Sequence, residues 1–190
     1  MRNLVPFIAD RLLQIPRETA AAEARRLLAA SDTRDDFPTA SPLPILTYDE
    51  WQARLRHEGA HGMGALDGLA PDIEIVMRPD GTGWCSYGAI ADPLDAITTH
   101  LVGVPAEAKY RPSSINGYAN GCYDFIAARL LIDKYNERGV WPPLTCEAAA
   151  RRAVEFVDFR WKQISALALV LGSTGDLTDY EVRLFSGSAL

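Results

Sequence analysis

A single helix with two histidines on one face governs how the rest of this chain must fold. Thr47-Tyr48-Asp49-Glu50 has the T-x-x-E form of a capping box, in which the threonine hydroxyl and the glutamate side chain each satisfy an orphan backbone donor. A helix is therefore predicted to start at Tyr48 and run past His61. His57-Glu58-Gly59-Ala60-His61 lies on it and uses two of the three histidines in the chain. Helical residues four apart project from one face about 5–6 Å apart, so the two imidazoles stand side by side. Gly59, Gly62 and Gly64 each cost about 1 kcal/mol relative to alanine in a helix. That cost predicts close packing against neighbours rather than a solvated helix.

Two imidazoles so placed can share one zinc ion at roughly 2.0–2.1 Å each, and Glu58, next to His57, can reach a water on that ion. Zinc lowers the pKa of such a water towards neutrality, and a carboxylate can take its proton during attack on a peptide carbonyl. The pattern predicts a metallopeptidase with Glu58 as the base. Catalytic zinc commonly keeps three protein ligands, and three residues compete for the third place. Asp67 completes H-E-x-x-H-x-x-G-x-x-D, the layout in which a turn at Gly64 returns residue 67 to the metal. His100 is the remaining histidine, and Asp124 lies further along the chain.

The 190 residues are 48% hydrophobic and 23% charged, which suits one domain with a sizeable core and excludes disorder and collagen-like repeats. A net charge of −6 argues against a nucleic-acid backbone or an anionic membrane as main partner. Three cysteines without a CxxC pair indicate neither a disulfide framework nor a cysteine-rich zinc knuckle, and the expected compartment is the cytoplasm. No stretch approaches the roughly 20 apolar residues of a membrane span. The absence of a G-x-x-x-x-G-K-[ST] loop leads to the expectation that ATP is not handled and that cleavage is restricted to flexible segments. The expected partner is a protein or peptide substrate, and a homo-oligomer stays open.

Residues 1–46 read as a helical preface and loop, with helical spacing at Leu4, Ile8 and Leu12 and again over 20–30, then breakers over 31–44. Residues 47–190 read as the functional domain. Ile73-Glu74-Ile75-Val76-Met77 alternates as a strand and can pair with 84–87 across the turn Arg78-Pro79-Asp80-Gly81, giving one small hairpin. Everything after it reads as helix, over 93–102, 120–135, 146–170 and 178–185, with Gly139 closing one of them. The fold class expected is mainly α, a compact helical zincin-like domain with one small β-hairpin. Trp51, Trp141 and Trp161 read as core. Ile75 to Arg78 offers a candidate edge for an extended substrate, Glu107 a candidate to orient a ligating histidine, and Tyr118, Tyr123 and Cys122 candidates to line a cleft.

The order of these motifs resembles the zinc peptidase domain of FtsH-type proteases over about residues 48–185. In that family a H-E-A-G-H helix precedes a strand of the type V-T-I-x-P-R-G; here His57-Glu58-Gly59-Ala60-His61 precedes Ile73-Glu74-Ile75-Val76-Met77-Arg78-Pro79-Asp80-Gly81. Leu101-Val102-Gly103-Val104-Pro105-Ala106-Glu107-Ala108 is similar to its L-x-G-G-x-A-A-E-E helix. Tyr123-Asp124-Phe125-Ile126-Ala127-Ala128-Arg129-Leu130 is similar to the N-D-L-x-x-A-T-x-L-A-R helix that supplies the third ligand. The resemblance implies zinc as cofactor, His57, His61 and Asp124 as its ligands, and hydrolysis of peptide bonds. The chain departs from the family at Gly59-Ala60, Arg56 and Tyr123 and carries no ATPase portion. The alternative expectation, from a different class, is a non-catalytic zincin-fold binding or structural protein, encoded by a phage or mobile element. An intact Glu58 favours the enzyme, because a structural zinc site has no use for a general base.

Overall fold

The structure, a computed structural model, describes residues 4–16, 46–112 and 122–187, with 18 and 22 as isolated points. The helix expected over 20–30 (residue 22 apart), the loop over 31–44, Tyr118 and the side chain of Cys122 lie outside the described residues. Among the described residues the chain is mainly helical with one small sheet. In order, the elements are α1 (Leu4–Leu13), α2 (Tyr48–Asp67), β1 (Glu74–Met77), β2 (Gly83–Ser86), α3 (Pro93–Leu101), α4 (Gly103–Tyr110), α5 (Cys122–Glu137), α6 (Cys146–Thr174), β3 (Asp176–Leu177) and α7 (Asp179–Phe185).

The capping box forms as expected: the Glu50 N–H donates to Thr47 Oγ1 at 3.3 Å and the Thr47 N–H donates to Glu50 Oε2 at 2.9 Å. The helix it starts is the centre of the molecule, buried along most of its second half. Its glycines explain how neighbours come so near. A Cβ on Gly59 would lie 3.3 Å from the Ile164 carbonyl oxygen of α6, and one on Gly64 would lie 3.2 Å from the Thr99 backbone of α3. Gly62 faces Ile75 of β1 in the same way. The helical cost of these residues is offset by packing against three different elements.

Around α2, the helix α6 contributes Ala149, Ala153, Val157, Ile164, Leu167 and Leu171, and α1 adds Leu4, Ile8 and Leu12 to the same continuous core. Each fully buried leucine or isoleucine contributes roughly 1.5–3 kcal/mol. Trp51 and Trp161 pack against this core. Trp141 does not: it is 85% exposed, in the short link between α5 and α6, where Val140 ends the helical turn and two prolines follow.

The expected hairpin is present, with Ile75 opposite Cys85 and Met77 opposite Gly83. It is, however, two strands of a three-stranded antiparallel sheet in the order β2-β1-β3. Gly175, at φ +87°, ends α6 and turns the chain so that Leu177 pairs with Ile75 and Asp176 with Val76. A two-residue strand is too short to leave a period in the sequence. The correction has a consequence for the candidate substrate edge, since β1 is paired on both sides and Ile75 to Arg78 is not an edge. The outer strand on the hairpin side is β2.

The single helix expected over 93–102 and the following family-like stretch become α3 and α4, which follow one nearly continuous helical path. Val102 between them has helical angles (φ −68°, ψ −23°), its N–H donates to the Thr98 carbonyl at 3.0 Å, and the Ala106 N–H donates to the Val102 carbonyl at 3.2 Å. Among the described residues no helix is long and apolar enough to cross a membrane.

Candidate metal centre

The helix α2 presents His57 and His61 from successive turns, their ring centroids 4.8 Å apart. Asp124, in the first turn of α5, reaches across to both. Its Oδ2 lies 3.1 Å from His57 Nε2 and 3.4 Å from His61 Nε2. A tetrahedral site with bonds of 2.0–2.1 Å separates its ligand atoms by about 3.3–3.4 Å, so contacts that serve as a hydrogen bond and an ion pair without a metal also leave these atoms near enough to share one. Among the described residues these three are the group of histidine, cysteine and acidic side chains close enough to hold one ion.

The surrounding groups orient the rings. His61 Nδ1–H donates to the Thr99 carbonyl at 2.6 Å, which leaves Nε2 as the nitrogen that faces Asp124. Such a bond fixes both the tautomer and the ring angle of a ligating histidine. Glu107 of α4 places Oε2 3.4 Å from His57 Nδ1, in the position expected of it, although Nδ1 is buried without a well-aligned hydrogen bond. Gly103 closes the centre from α4. A Cβ there would lie 2.5 Å from His57 Nε2 and 2.6 Å from His61 Nε2, filling the space between the two nitrogens where an ion would sit. Sequence reasoning had not singled out Gly103 or the Thr99 carbonyl. The first was visible inside Leu101-Val102-Gly103, and the second is a backbone group that no residue type announces.

Glu58 points from α2 towards β2, where Gly83 makes room for it: a Cβ on Gly83 would lie 2.7 Å from Glu58 Cγ. Burial raises the Glu58 pKa, opposed by the nearby charges of His57 and His61. For His57, burial pulls the pKa down, but Asp124 and Glu107 outweigh it and hold it well above the ordinary histidine value. Burial and the Asp124 charge compete at His61 in the same way, with a net rise. Burial pushes Asp124 up, yet the two imidazoles leave it well below the usual carboxylate range. Cys85, from β2, is a free cysteine whose thiol burial pushes far up.

The other two candidates for third ligand are elsewhere. The helix continues through Gly64, so Asp67 sits six residues beyond His61, about 9 Å further along the axis. There it accepts a two-pronged ion pair from Arg160, at 2.8 and 2.9 Å. His100 packs against Tyr87. Tyr123 is 48% exposed beside Asp124.

The donor set suits zinc. Two imidazole nitrogens and one carboxylate oxygen are three ligands with room for a fourth, the pattern of catalytic rather than structural sites, which close with four protein ligands. The cradle at Gly103, bordered by His57 Nε2 and His61 Nε2, fits the same ion. A scan against protein-family models finds no match, and no curated protein is significantly similar in sequence.

Two expected results follow from this geometry. Gly103→Ala puts a methyl group between the ligating nitrogens and should weaken zinc binding by at least about 10–100-fold, the range for disturbing a metal site's supporting shell; competition against a fluorescent chelator measures it, and unchanged affinity would mean the ion sits elsewhere. In the metal-free chain both imidazoles hold protons above their ordinary pKa, and a metal must displace them. Zinc affinity should therefore climb as pH rises through the range above about 6.5, with protons released on binding, as calorimetry in buffers of different ionisation enthalpy detects. A pH-independent affinity would contradict the assignment of these two ligands.

Proposed function

We propose that this protein is a zinc-dependent metalloendopeptidase that hydrolyses peptide bonds in flexible segments of proteins. The observation that carries the reading is the convergence of His57 Nε2, His61 Nε2 and Asp124 Oδ2 on one point beside Glu58. The order of motifs similar to FtsH-type zinc peptidases supports it. The ion, when bound, supplies a positive charge that lowers the pKa of a water and polarises the carbonyl it meets. Glu58 takes a proton from the attacking water and later passes it to the leaving amine, while Gly83 leaves the space its carboxylate needs. Glu107 and the Thr99 carbonyl hold the two imidazoles in place.

The outer strand β2 runs past Glu58, which suits an extended peptide added to the sheet by backbone hydrogen bonds. Such a substrate must be locally unfolded, and termini and loops open at far lower free energy than a core. No phosphate loop is present in the sequence to couple ATP to unfolding. The test is incubation of the zinc-loaded chain with fluorescein-labelled casein, without ATP. Cleavage abolished by a chelator and restored by zinc is the expected result; a zinc-loaded chain that leaves casein intact favours the non-catalytic binding protein.

A further inference from the structure

His100 is the one histidine that the zinc ligands leave unused, and its place in the fold is specific. Along the continuous path of α3 and α4, residues three and four apart share a face. The Thr99 carbonyl accepts from His61 Nδ1, Gly103 abuts both Nε2 atoms, and Glu107 stands by His57 Nδ1. One side of this helical path therefore walls the metal centre. His100 stands one turn before Gly103 and two before Glu107, on that same side. Its ring centroid is 6.1 Å from that of Tyr87, just past the end of β2, at an interplanar angle of 47°. Asp124 and His61 are the charged groups that act on it. Among the described residues neither of its ring nitrogens has a hydrogen-bond partner.

We propose that His100 is a further catalytic residue of this centre, a neutral imidazole whose N–H donates a hydrogen bond to the oxygen of the carbonyl under attack. The proposal rests on the hydrolase reading above. Burial pushes the His100 pKa down to about 4, so the ring is neutral near pH 7 and carries one donor and one acceptor. In the step it serves, the water oxygen bonds to the carbonyl carbon as Glu58 takes the water proton, and the π pair moves onto the carbonyl oxygen. That oxygen gains the charge that the His100 N–H meets. When the C–N bond breaks, the electron pair leaves with the amine, which receives the proton from Glu58, and His100 exchanges none. Tyr87, packed on the ring, holds the donor in place. Removing one donor to such an oxyanion typically costs about 10²–10³ in kcat.

The test uses the full chain loaded with zinc, a quenched fluorogenic peptide taken from a casein cleavage site, and two variants. His100→Phe keeps a ring against Tyr87 without a donor; His100→Gln keeps an N–H. Expected for His100→Phe are the parent's zinc content, kcat lower by about 100-fold and KM within about threefold. A peptide phosphonate, whose tetrahedral anion resembles the attacked carbonyl, should lose affinity by a similar factor while the cleaved product peptide does not. His100→Gln should recover a substantial part of kcat. A readout without substitution is the ¹⁵N-histidine spectrum of the parent, where the phosphonate should shift the His100 N–H resonance downfield. His100→Phe with full zinc and full kcat, or an unmoved resonance, overturns the proposal and leaves the peptidase reading intact. Loss of zinc in His100→Phe also overturns it, by making His100 a support of the metal. A parent chain that holds zinc but cleaves no peptide removes both.

Discussion

Asp124→Ala should strip zinc from the chain. The substitution removes the oxygen that stands 3.1 and 3.4 Å from His57 Nε2 and His61 Nε2 and leaves two imidazoles, which should lower affinity by more than the roughly 10–100-fold seen for supporting groups. Asp67→Ala is the contrasting variant. It breaks the ion pair with Arg160 on the flank of α2 and α6, a partly exposed pair of the kind worth about 0–1 kcal/mol, and should keep zinc in full. Equilibrium dialysis of both variants decides between them. Zinc retained by Asp124→Ala and lost by Asp67→Ala would mean that the helix must break at Gly64 when the metal binds.

Glu58→Gln should keep both zinc and fold yet lose hydrolysis by about 10²–10⁴ in kcat, the range for a general base, or about 3–5 kcal/mol of transition-state stabilisation. The amide fills the space beside Gly83 as the carboxylate does but cannot accept the proton from water. Measured with casein and confirmed by zinc content, a variant as fast as the parent would show that Glu58 is not the base. The same variant separates chemistry from binding, since its KM should change far less than its kcat.

Local signals were the ones most legible in the sequence. The capping box at Thr47 and Glu50 announced α2 to the residue, and the four-residue spacing of His57 and His61 placed both rings on one face. Gly139 and the breakers around it located the end of α5. Long-range pairing was not legible in the same way: β3 is two residues long, and what makes it a strand is Ile75 on β1, about 100 residues away. Its presence converts β1 from an edge to a central strand and leaves β2 as the outer strand on the hairpin side. Trp141 fails as core for a similar reason, since hydrophobicity alone does not reveal that two prolines carry the chain away from the helices. At the site, Asp124 came from the order of family-like motifs and now stands within reach of both histidines. Gly103 was missed because a glycine has no chemistry of its own; its role is the atom it lacks.

Zinc content of the protein purified without added metal or chelator decides whether these side chains form a metal centre. Elemental analysis should find about one zinc per chain, the stoichiometry of a single three-ligand site, and His61→Ala purified in parallel should hold none. A wild-type chain free of zinc that also fails to take it up on dialysis would contradict the assignment of His57, His61 and Asp124 as ligands, and with it the peptidase chemistry built on them.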